Sequence, residues 1–471
     1  MSLDGQSLPE SIRPASREER IGRALLVVLA VLCCAVVVTL VAADAPKSAY
    51  YVPVGLLAAA ALGGFLRGAR RARLAVMLFV MAPLPWLVEA AAGWLERAQG
   101  ARLADARLRY AQEKGIAYDQ RSSREVVEDL RRQGRDAWPA VHPSTLLRAT
   151  EDGSESTLRD SQGRQLQPLA GIANVETVYG NEEGRYLIYR SDEHGFHNPP
   201  GIWPLPQIDV AAVGDSFTQG ASVPSERNLV AVVRRRWPLT LNLGYGGNGP
   251  LTELAALLEY LPRRRPRVVL WVVCEVNDLG EDLNRELTSP LLLRYWQRTA
   301  QLQNLEQRQP EIDAALRDYV EKLRSSDDSS GSGQRSGALA FVALERVRRA
   351  AYSVAARQDD QWDAFSGILG TARDAVHSWG GALYLVYLPV HYTVEQSSLR
   401  HWQQGTPEQR RQRILDIARA LEIKVIDIEP VFEQAGQLSG EFLYPYPGHF
   451  TAEGYEAAGQ AIVERLETDG W

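Results

Sequence analysis

The sequence predicts an α/β protein: a parallel sheet covered by helices on both faces and preceded by three transmembrane helices. Short apolar runs recur through the C-terminal half and alternate with helical segments, which is the pattern of a parallel sheet. Long apolar runs fill the first hundred residues, and these are typical of membrane spans.

The N-terminal apolar runs predict a membrane anchor over residues 1–97. Residues 24–43 form twenty positions without a charge, which is enough for a helix to cross a bilayer. Residues 50–66 and 74–95 form two further runs, the last interrupted by two prolines and a glutamate. A cleaved signal peptide is the alternative for the first run, but its length and the apolar run that follows argue against it.

Basic residues are distributed unequally around these spans. Four arginines precede the first span and four lie between the second and third, whereas the intervening loop has only Asp44 and Lys47. Because basic loops stay in the cytoplasm, we expect the N-terminus inside and the chain after about residue 97 outside. This makes an inner-membrane, multi-pass protein with a periplasmic domain; two spans instead of three would leave that domain in the cytoplasm.

Composition excludes some classes of protein. The 52 basic and 58 acidic side chains provide no basic field for nucleic acid. The three cysteines have neither zinc-site nor disulfide spacing. His194 and His197 have a spacing that can bind metal, but a solvated turn is the favoured interpretation. We therefore expect no metal and no cofactor.

Residues 98–200 are polar and turn-rich, which predicts a linker and an entry subdomain, and residues 201–471 predict the main domain. Thr406 and Gln409 form a capping box that begins a helix over 406–421. Five apolar runs predict the parallel strands: residues 208–213, 239–243, 268–274, 382–388 and 424–428.

Residues 290–360 interrupt this alternation as a helical and low-complexity insertion. Residues 325–337, rich in Ser, Gly and Asp, predict a flexible linker. An amphipathic run begins at Leu339 and could lie on the membrane surface. A helix packed against its own domain is favoured, since surface helices of globular domains have the same periodicity.

Short polar blocks follow four predicted elements. Gly214-Asp215-Ser216 follows the first strand, at the sheet edge where α/β proteins bind ligands, although this string alone is common in plain turns. It is neither a phosphate-binding loop nor a G-x-S-x-G elbow. The other three blocks are Asn242 to Pro250, Glu275-Val276-Asn277-Asp278 and Pro447-Gly448-His449.

In this order the four blocks resemble those of the SGNH (GDSL) hydrolases, over roughly residues 190–290 and 370–470. The resemblance implies a flavodoxin-like fold, with Ser216 as nucleophile and His449 as its base. It also implies an oxyanion hole made by the backbone N–H groups of Ser216 and Gly247 and the amide of Asn277. A serine hydroxyl needs a neighbouring imidazole to take its proton, and oxyanion donors must be in place beforehand.

Structural roles are the alternatives for these residues. Asn277 could merely hold a turn, Gly247 could serve backbone shape alone, and His449 could only cap the last helix. Asp215 is expected to bond loop backbone, and Asp278 to support the same edge of the sheet.

The chain departs from the family pattern at two positions. Tyr446 stands where the family has an aspartate, and Glu275 stands where it has a glycine. A neutral tyrosine gives no charge near neutral pH. We therefore expect a Ser216–His449 dyad, with the other imidazole nitrogen held by a backbone carbonyl or a distant acid. Asp427 and Glu275 are the first candidates for that acid.

The wider stretch from residue 191 through the third block resembles membrane-linked bacterial SGNH proteins associated with surface polysaccharides. This implies ester hydrolysis or O-acyl, in the first place acetyl, transfer on a cell-envelope glycan, with polysaccharide biosynthesis or export proteins as partners. Lipid esters would suit the anchor equally. The alternative is an SGNH-fold glycan-binding or assembly protein with weakened catalysis, which Tyr446 favours.

Overall fold

A computed structural model describes most of the chain as two compact units. One comprises Met1–Gln99 with Ser326–Ala355, and the other Gly100–Ser325 with Ala356–Trp471. Asn277 and Glu275 lie outside the described residues, as do Asp44 and Pro447. The described residues are 16–43, 45–150, 153–205, 207–274, 278–298, 302–328, 332–355, 358–389, 405–434, 441–446 and 448–471.

The first unit contains the apolar helices α1 (Arg17–Ala42), α2 (Tyr51–Phe65), α3 (Gly68–Met81) and the start of α4 (Leu84–Glu113). Three helical stretches are long and apolar enough to cross a membrane: Arg17–Ala42, Lys47–Phe65 and Gly68–Glu113. The number of apolar spans predicted from the sequence is therefore confirmed. The third stretch is divided at Pro83, which has no N–H for a continuous helix.

Two helices of the predicted insertion, Ser332–Val342 and Glu345–Ala355, also belong to this first unit. Glu89 of α4 is fully buried and accepts hydrogen bonds from the backbone N–H of Arg346 (3.2 Å) and Val347 (3.0 Å). It also pairs with the Arg346 guanidinium at 3.1 Å. A carboxylate at a helix N-terminus bonds N–H groups that lack intrahelical acceptors and complements the helix dipole.

Two expectations for the insertion are therefore wrong. The amphipathic run from Leu339 belongs to the first unit and not to the main domain, because an apolar periodicity does not specify which apolar surface a helix covers. The predicted flexible linker, residues 325–337, contains the end of helix Gln309–Asp328 and the start of helix Ser332–Val342. Residues 329–331 lie outside the described part.

The second unit contains a five-stranded parallel sheet in the order β10-β9-β8-β6-β7, which is the flavodoxin-like order that places the first strand inside the sheet. All five predicted strands are present, each one or two residues shorter at one or both ends. The strands of the chain are β1 Ala137–Pro139, β2 Leu147–Thr150, β3 Gly153–Ser156, β4 Glu176–Val178, β5 Ile188–Arg190, β6 Val210–Val213, β7 Thr240–Asn242, β8 Val268–Val273, β9 Ala382–Tyr387 and β10 Lys424–Asp427.

Helices cover both faces of this sheet. Val269, Trp271 and Val273 of β8 enter one apolar core, while Val268 and its alternate neighbours enter the other, as the two-residue period of a strand requires. The helix predicted over residues 406–421 is present with Thr406 as its N-cap and a capping box. The remaining helices of this unit are Ser123–Arg132, Ser216–Gln219, Leu229–Arg236, Pro250–Tyr260, Leu283–Leu287, Pro290–Gln297, Gln309–Asp328, Gln358–Ser378, Pro407–Ala420, Glu429–Gln434 and Ala452–Thr468.

Residues 98–200 do not form a separate subdomain. Their first residues continue helix α4, and β1, β4 and β5 form a small sheet. Trp138, Leu146 and Phe196 are buried in the same core as Trp271 of the central sheet. The polarity of this segment concealed these few large apolar side chains, which fix it to the main domain.

The turn containing His194 and His197 is also buried, not solvated as expected. The His197 ring bonds the Gln219 carbonyl oxygen (2.8 Å) and the Ser225 hydroxyl (2.7 Å) and stacks on Tyr189. Burial lowers the pKa of His197 to about 4, so the ring is neutral. Polar groups that bond one another can be buried as a set, which residue polarity alone does not reveal.

Candidate active site

The nucleophile loop follows β6 directly. Ser216 begins the short helix Ser216–Gln219, and only 7% of its surface is exposed. The Asp215 side chain accepts a hydrogen bond from the Phe217 N–H at 2.9 Å, which is the backbone role expected of Asp215. The loop therefore presents the Ser216 hydroxyl at the carboxyl edge of the sheet, where α/β proteins place their ligands.

His449 reaches this serine from the C-terminal end of the chain. Its Nε2 lies 2.7 Å from the Ser216 Oγ, a hydrogen-bond distance suited to proton transfer. The imidazole packs against the Phe217 ring, with 4.8 Å between ring centres. It precedes the last helix, but Thr451 is the residue that caps that helix. The capping alternative for His449 is therefore wrong.

Glu182 holds the other nitrogen of the imidazole. Its Oε2 lies 2.9 Å from His449 Nδ1 and 3.2 Å from the His449 backbone nitrogen. Glu182 was not among the candidate residues of the sequence, because it stands in the loop between β4 and β5 without a recognisable motif. A carboxylate at this position fixes the tautomer of the histidine and stabilises its cationic form.

Two further groups hold the Glu182 carboxylate. Ser222 donates its hydroxyl to Oε2 at 2.5 Å, and the Arg107 guanidinium lies 3.4 Å from Oε1. Ser222 adopts φ +69°, a left-handed conformation that costs energy for a residue with a side chain. Burial acts to raise the Glu182 pKa, but the charge and hydrogen bond of His449 and the bond from Ser222 outweigh it and hold it at about 2.

The pKa of His449 is shifted in the complementary direction. Burial acts to lower it, but the charge of Glu182 and the hydrogen bond to that carboxylate raise it above its usual range. Glu182 is thus ionised at neutral pH and the imidazolium is stabilised beside it.

Tyr446 has a supporting position. Its hydroxyl donates to the backbone carbonyl of Glu182 at 2.7 Å, and its ring stacks on Tyr444 and meets Tyr110 edge to face. Asp427, one of the two first candidates for the acid at His449, instead pairs with Arg411 at 2.5 Å. The sequence could not select the acid, because no local sequence geometry relates Asp427 to His449.

The loop after β7 carries Gly247. Its φ is +76°, and a Cβ at this position would collide with the Ser144 hydroxyl, so both backbone conformation and space require glycine. The Tyr245 N–H donates to the Gly214 carbonyl at 3.1 Å and fastens this loop to the nucleophile loop. The oxyanion-hole role of Gly247 stays a prediction.

Asn277 lies outside the described residues, and its amide role also stays a prediction. Asp278, the next residue, accepts a hydrogen bond from the Cys274 N–H at 2.8 Å. This bond ties Asp278 to Cys274 at the end of β8, and the supporting role expected of Asp278 stays a prediction.

Two side chains that the motifs do not include lie beside the nucleophile. A Cβ built at Gly246 would be 2.7 Å from the Tyr179 hydroxyl and 2.5 Å from the His142 ring. Tyr179 also bonds Ser216, and burial raises its pKa well above 10, so its O–H stays a donor. Burial lowers the pKa of His142 and keeps it neutral. Tyr179 and His142 therefore narrow the space at Gly246, next to Gly247.

Two buried acids have the opposite ionisation to Glu182. Burial, the neighbouring Asp215 and other nearby carboxylates raise the pKa of Glu253 well above its usual range. Burial, and the repulsion that an ionised Glu253 would exert, raise the pKa of Asp278 in the same way. Both side chains are therefore held in the protonated form.

A carboxylate that orients a histidine, which in turn reaches a serine hydroxyl, is the working arrangement of serine-dependent hydrolases. The family comparison leads to the same class. Residues 212–457, slightly more than half of the chain, match the model of the GDSL-like Lipase/Acylhydrolase family. The chain belongs to this family, and its membership supports ester hydrolysis as the general reaction.

Solved structures match parts of this chain at low identity and low TM-score. A lipolytic protein of the G-D-S-L family from Desulfitobacterium hafniense DCB-2 is 14% identical, with 55% of this chain and 99% of that chain covered and a TM-score of 0.30. A lipase/acylhydrolase from Enterococcus faecalis is 16% identical, with 56% and 97% covered and a TM-score of 0.32. No curated protein sequence matches the chain.

Proposed function

We propose that this chain removes or transfers an O-acyl group of a cell-envelope substrate through an acyl-Ser216 intermediate. The observation that carries the proposal is the hydrogen-bonded series from Ser216 through His449 to Glu182, with distances of 2.7 and 2.9 Å. It meets the geometric requirement for an activated serine nucleophile.

The reaction has two halves. His449 takes the proton of Ser216 as the hydroxyl attacks the acyl carbon, and Glu182 stabilises the resulting imidazolium. The tetrahedral oxyanion then collapses, the ester bond breaks, and His449 returns the proton to the departing alcohol. Water hydrolyses the acyl-serine, or a sugar hydroxyl accepts the acyl group, with His449 again taking the attacking proton.

We propose acetyl as the acyl group and a surface polysaccharide as its carrier. The Tyr179 hydroxyl and the His142 ring crowd Gly246, in the loop that carries the proposed oxyanion donor Gly247, and this supports a small acyl group. Three apolar helices suit a substrate assembled at the membrane, where polysaccharide biosynthesis or export proteins would be the partners.

The proposed location is the inner membrane, with the N-terminus inside and the catalytic domain in the periplasm. The arginines around the spans support this orientation. Alkaline phosphatase, which is active only outside the cytoplasm, can be fused at residue 70 and after residue 105. We expect activity from the second fusion only, and the reverse result would refute the topology.

Turnover of p-nitrophenyl acetate by the full chain in detergent tests the reaction, with Ser216→Ala as control. We expect acetate release by the native chain, and a slower reaction with longer acyl esters. Adding an oligosaccharide acceptor then distinguishes the two outcomes of the acyl-serine, since a transferase yields an acetylated sugar in place of free acetate. Turnover equal to that of Ser216→Ala would refute the enzyme.

A non-enzymatic glycan-binding protein is the rival proposal. The sequence feature that favoured it is Tyr446, which stands where the family has an aspartate. Glu182 occupies the position at His449 Nδ1 that this aspartate would fill. That observation favours the enzyme.

A further inference from the structure

A groove of about 590 Å³ lies in the membrane anchor, between α1 and α2. Its walls are apolar and partly formed by small side chains, including Ala30, Ala60 and Gly64. Two arginines, Arg23 and Arg71, line it as well. The groove therefore combines an apolar channel with a concentrated positive charge, which is an unusual lining among membrane helices.

A close helix crossing brings the two arginines together. A Cβ on Gly22 of α1 would lie 3.0 Å from the Cα of Ala72 in α3, so glycine permits this approach. Arg23 and Arg71 are the immediate neighbours of these two contact residues in sequence. Glu19 faces both guanidinium groups, but its oxygens accept hydrogen bonds from the backbone of Gly68 and Ser16. Within the part of the chain that the structure describes, one carboxylate for two guanidinium groups leaves a positive charge uncompensated.

Arg71 has unused donors that are buried. Only 5% of the residue is exposed, and its Nη2 donates to the Gly64 carbonyl at 3.0 Å. Among the described residues, its Nε and Nη1 are buried and have no hydrogen-bond partner. A buried guanidinium with unbonded N–H groups is costly unless an acceptor supplies the missing bonds. Arginine is well suited to phosphate, because its donors match the oxygens of a phosphate ester.

We propose that this groove binds an anionic phospholipid, with the phosphate on Arg71 and Arg23 and an acyl chain along the apolar walls. Charge complementarity selects the headgroup, since basic pockets between transmembrane helices hold anionic lipids. The apolar walls select a molecule with a chain over a free anion, because burial of methylene groups adds affinity. This site is independent of the ester chemistry proposed for Ser216.

Native mass spectrometry of the full chain in detergent tests the proposal, with phosphatidylglycerol, phosphatidylcholine and inorganic phosphate as separate probes. We expect one phosphatidylglycerol to be retained by the native chain, and at least tenfold lower occupancy for Arg71→Ala. Arg70→Ala is the matched control, because it removes the same charge from an exposed position one residue away. It should retain the lipid as the native chain does.

Ala61→Phe provides a second variant that keeps both arginines. Ala61 lines the groove and is exposed along it, so the larger ring fills the channel without entering the helix packing. We expect the same loss of phosphatidylglycerol as in Arg71→Ala. Equal retention by Ala61→Phe and the native chain, or equal occupancy by phosphatidylcholine or inorganic phosphate, would overturn the proposal.

Discussion

Two glutamates of the second unit, Glu182 and Glu253, have opposite charge states. Glu182 receives hydrogen bonds from His449 and Ser222, and its pKa is held at about 2. Glu253 lies near other carboxylates, and burial together with those charges raises its pKa well above the usual range. The hydrogen-bond partners and neighbouring charges of each carboxyl group therefore decide which of the two is charged.

This difference has a catalytic meaning. A negative charge at Glu182 stabilises the imidazolium that forms on His449. A negative charge at Glu253 or Asp278 would oppose the oxyanion that forms near the nucleophile, and the raised pKa values keep both groups neutral. The negative charge therefore lies on Glu182, where it stabilises the imidazolium, and not on Glu253 or Asp278.

Removal of the reacting groups should have the largest effect. We expect Ser216→Ala and His449→Ala each to lower kcat for p-nitrophenyl acetate by about 10⁴–10⁶-fold, because the two residues act as one unit. A fluorophosphonate probe should label the native chain and not Ser216→Ala. Equal labelling of both proteins would show that a different residue is the nucleophile.

Glu182→Gln tests the charged member of the comparison. We expect kcat/KM to fall by about 10³–10⁴-fold, since the amide neither fixes the productive tautomer nor stabilises the imidazolium. The native acid limb should lie above pH 6.5, because only neutral His449 can act as base and its pKa is raised. Without the carboxylate that pKa falls, so the limb should move to lower pH.

Glu183→Gln is the control for that variant, as it changes the neighbouring residue of the same loop. Its rate and its pH profile should match those of the native chain. An unshifted limb in Glu182→Gln would mean that Glu182 does not set the pKa of His449.

Tyr446→Phe should have a much smaller effect. The variant loses one hydrogen bond to the Glu182 backbone, which is worth about 0.5–1.5 kcal/mol, so we expect a rate loss of about 2–10-fold. The ring stacking on Tyr444 remains. Steady-state kinetics at the optimal pH measure this, and a loss as large as that of His449→Ala would make the phenol a catalytic group.

Glu253→Gln tests the neutral member and should leave kcat unchanged. Because the folded-state pKa of Glu253 is raised, the native chain loses stability as pH rises above the unfolded value of 4.5. The amide cannot ionise, so the variant should have a higher Tm than the native chain at pH 8, by about 2–4 °C for each kcal/mol. Thermal unfolding at pH 5 and pH 8 measures this, and an identical pH dependence of Tm in both proteins would show that Glu253 is ionised.

Features with a local sequence pattern could be predicted from the sequence, whereas contacts that depend on the overall topology could not. The five strands were predictable because short apolar runs bounded by polar turns have few alternatives. Ser216 and His449 were identifiable because each stands in a short block. Glu182 has no such signal: it lies 267 positions from His449, and only the fold of the β4–β5 loop brings the two together.

The insertion at residues 290–360 is a second case in which the local sequence pattern did not indicate the packing partner. Its apolar period predicted a helix but gave no information about the surface that the helix covers. Glu89 contained the missing signal, because a carboxylate within an apolar span requires a partner. The cation that pairs with Glu89 is Arg346, which lies in the helix Glu345–Ala355 of the insertion.

Helix α4 is continuous from Leu84 to Glu113, and its last turns contribute Arg107 and Tyr110 to the surroundings of Glu182 and Tyr446. The place of a proteolytic cut therefore decides whether a released enzyme stays competent. Cleavage before residue 100 would release a domain that keeps Arg107 and Tyr110. Cleavage after residue 113 would release a domain that lacks Arg107, the cation that faces Glu182, so we expect this longer cut to lower the activity of the released domain.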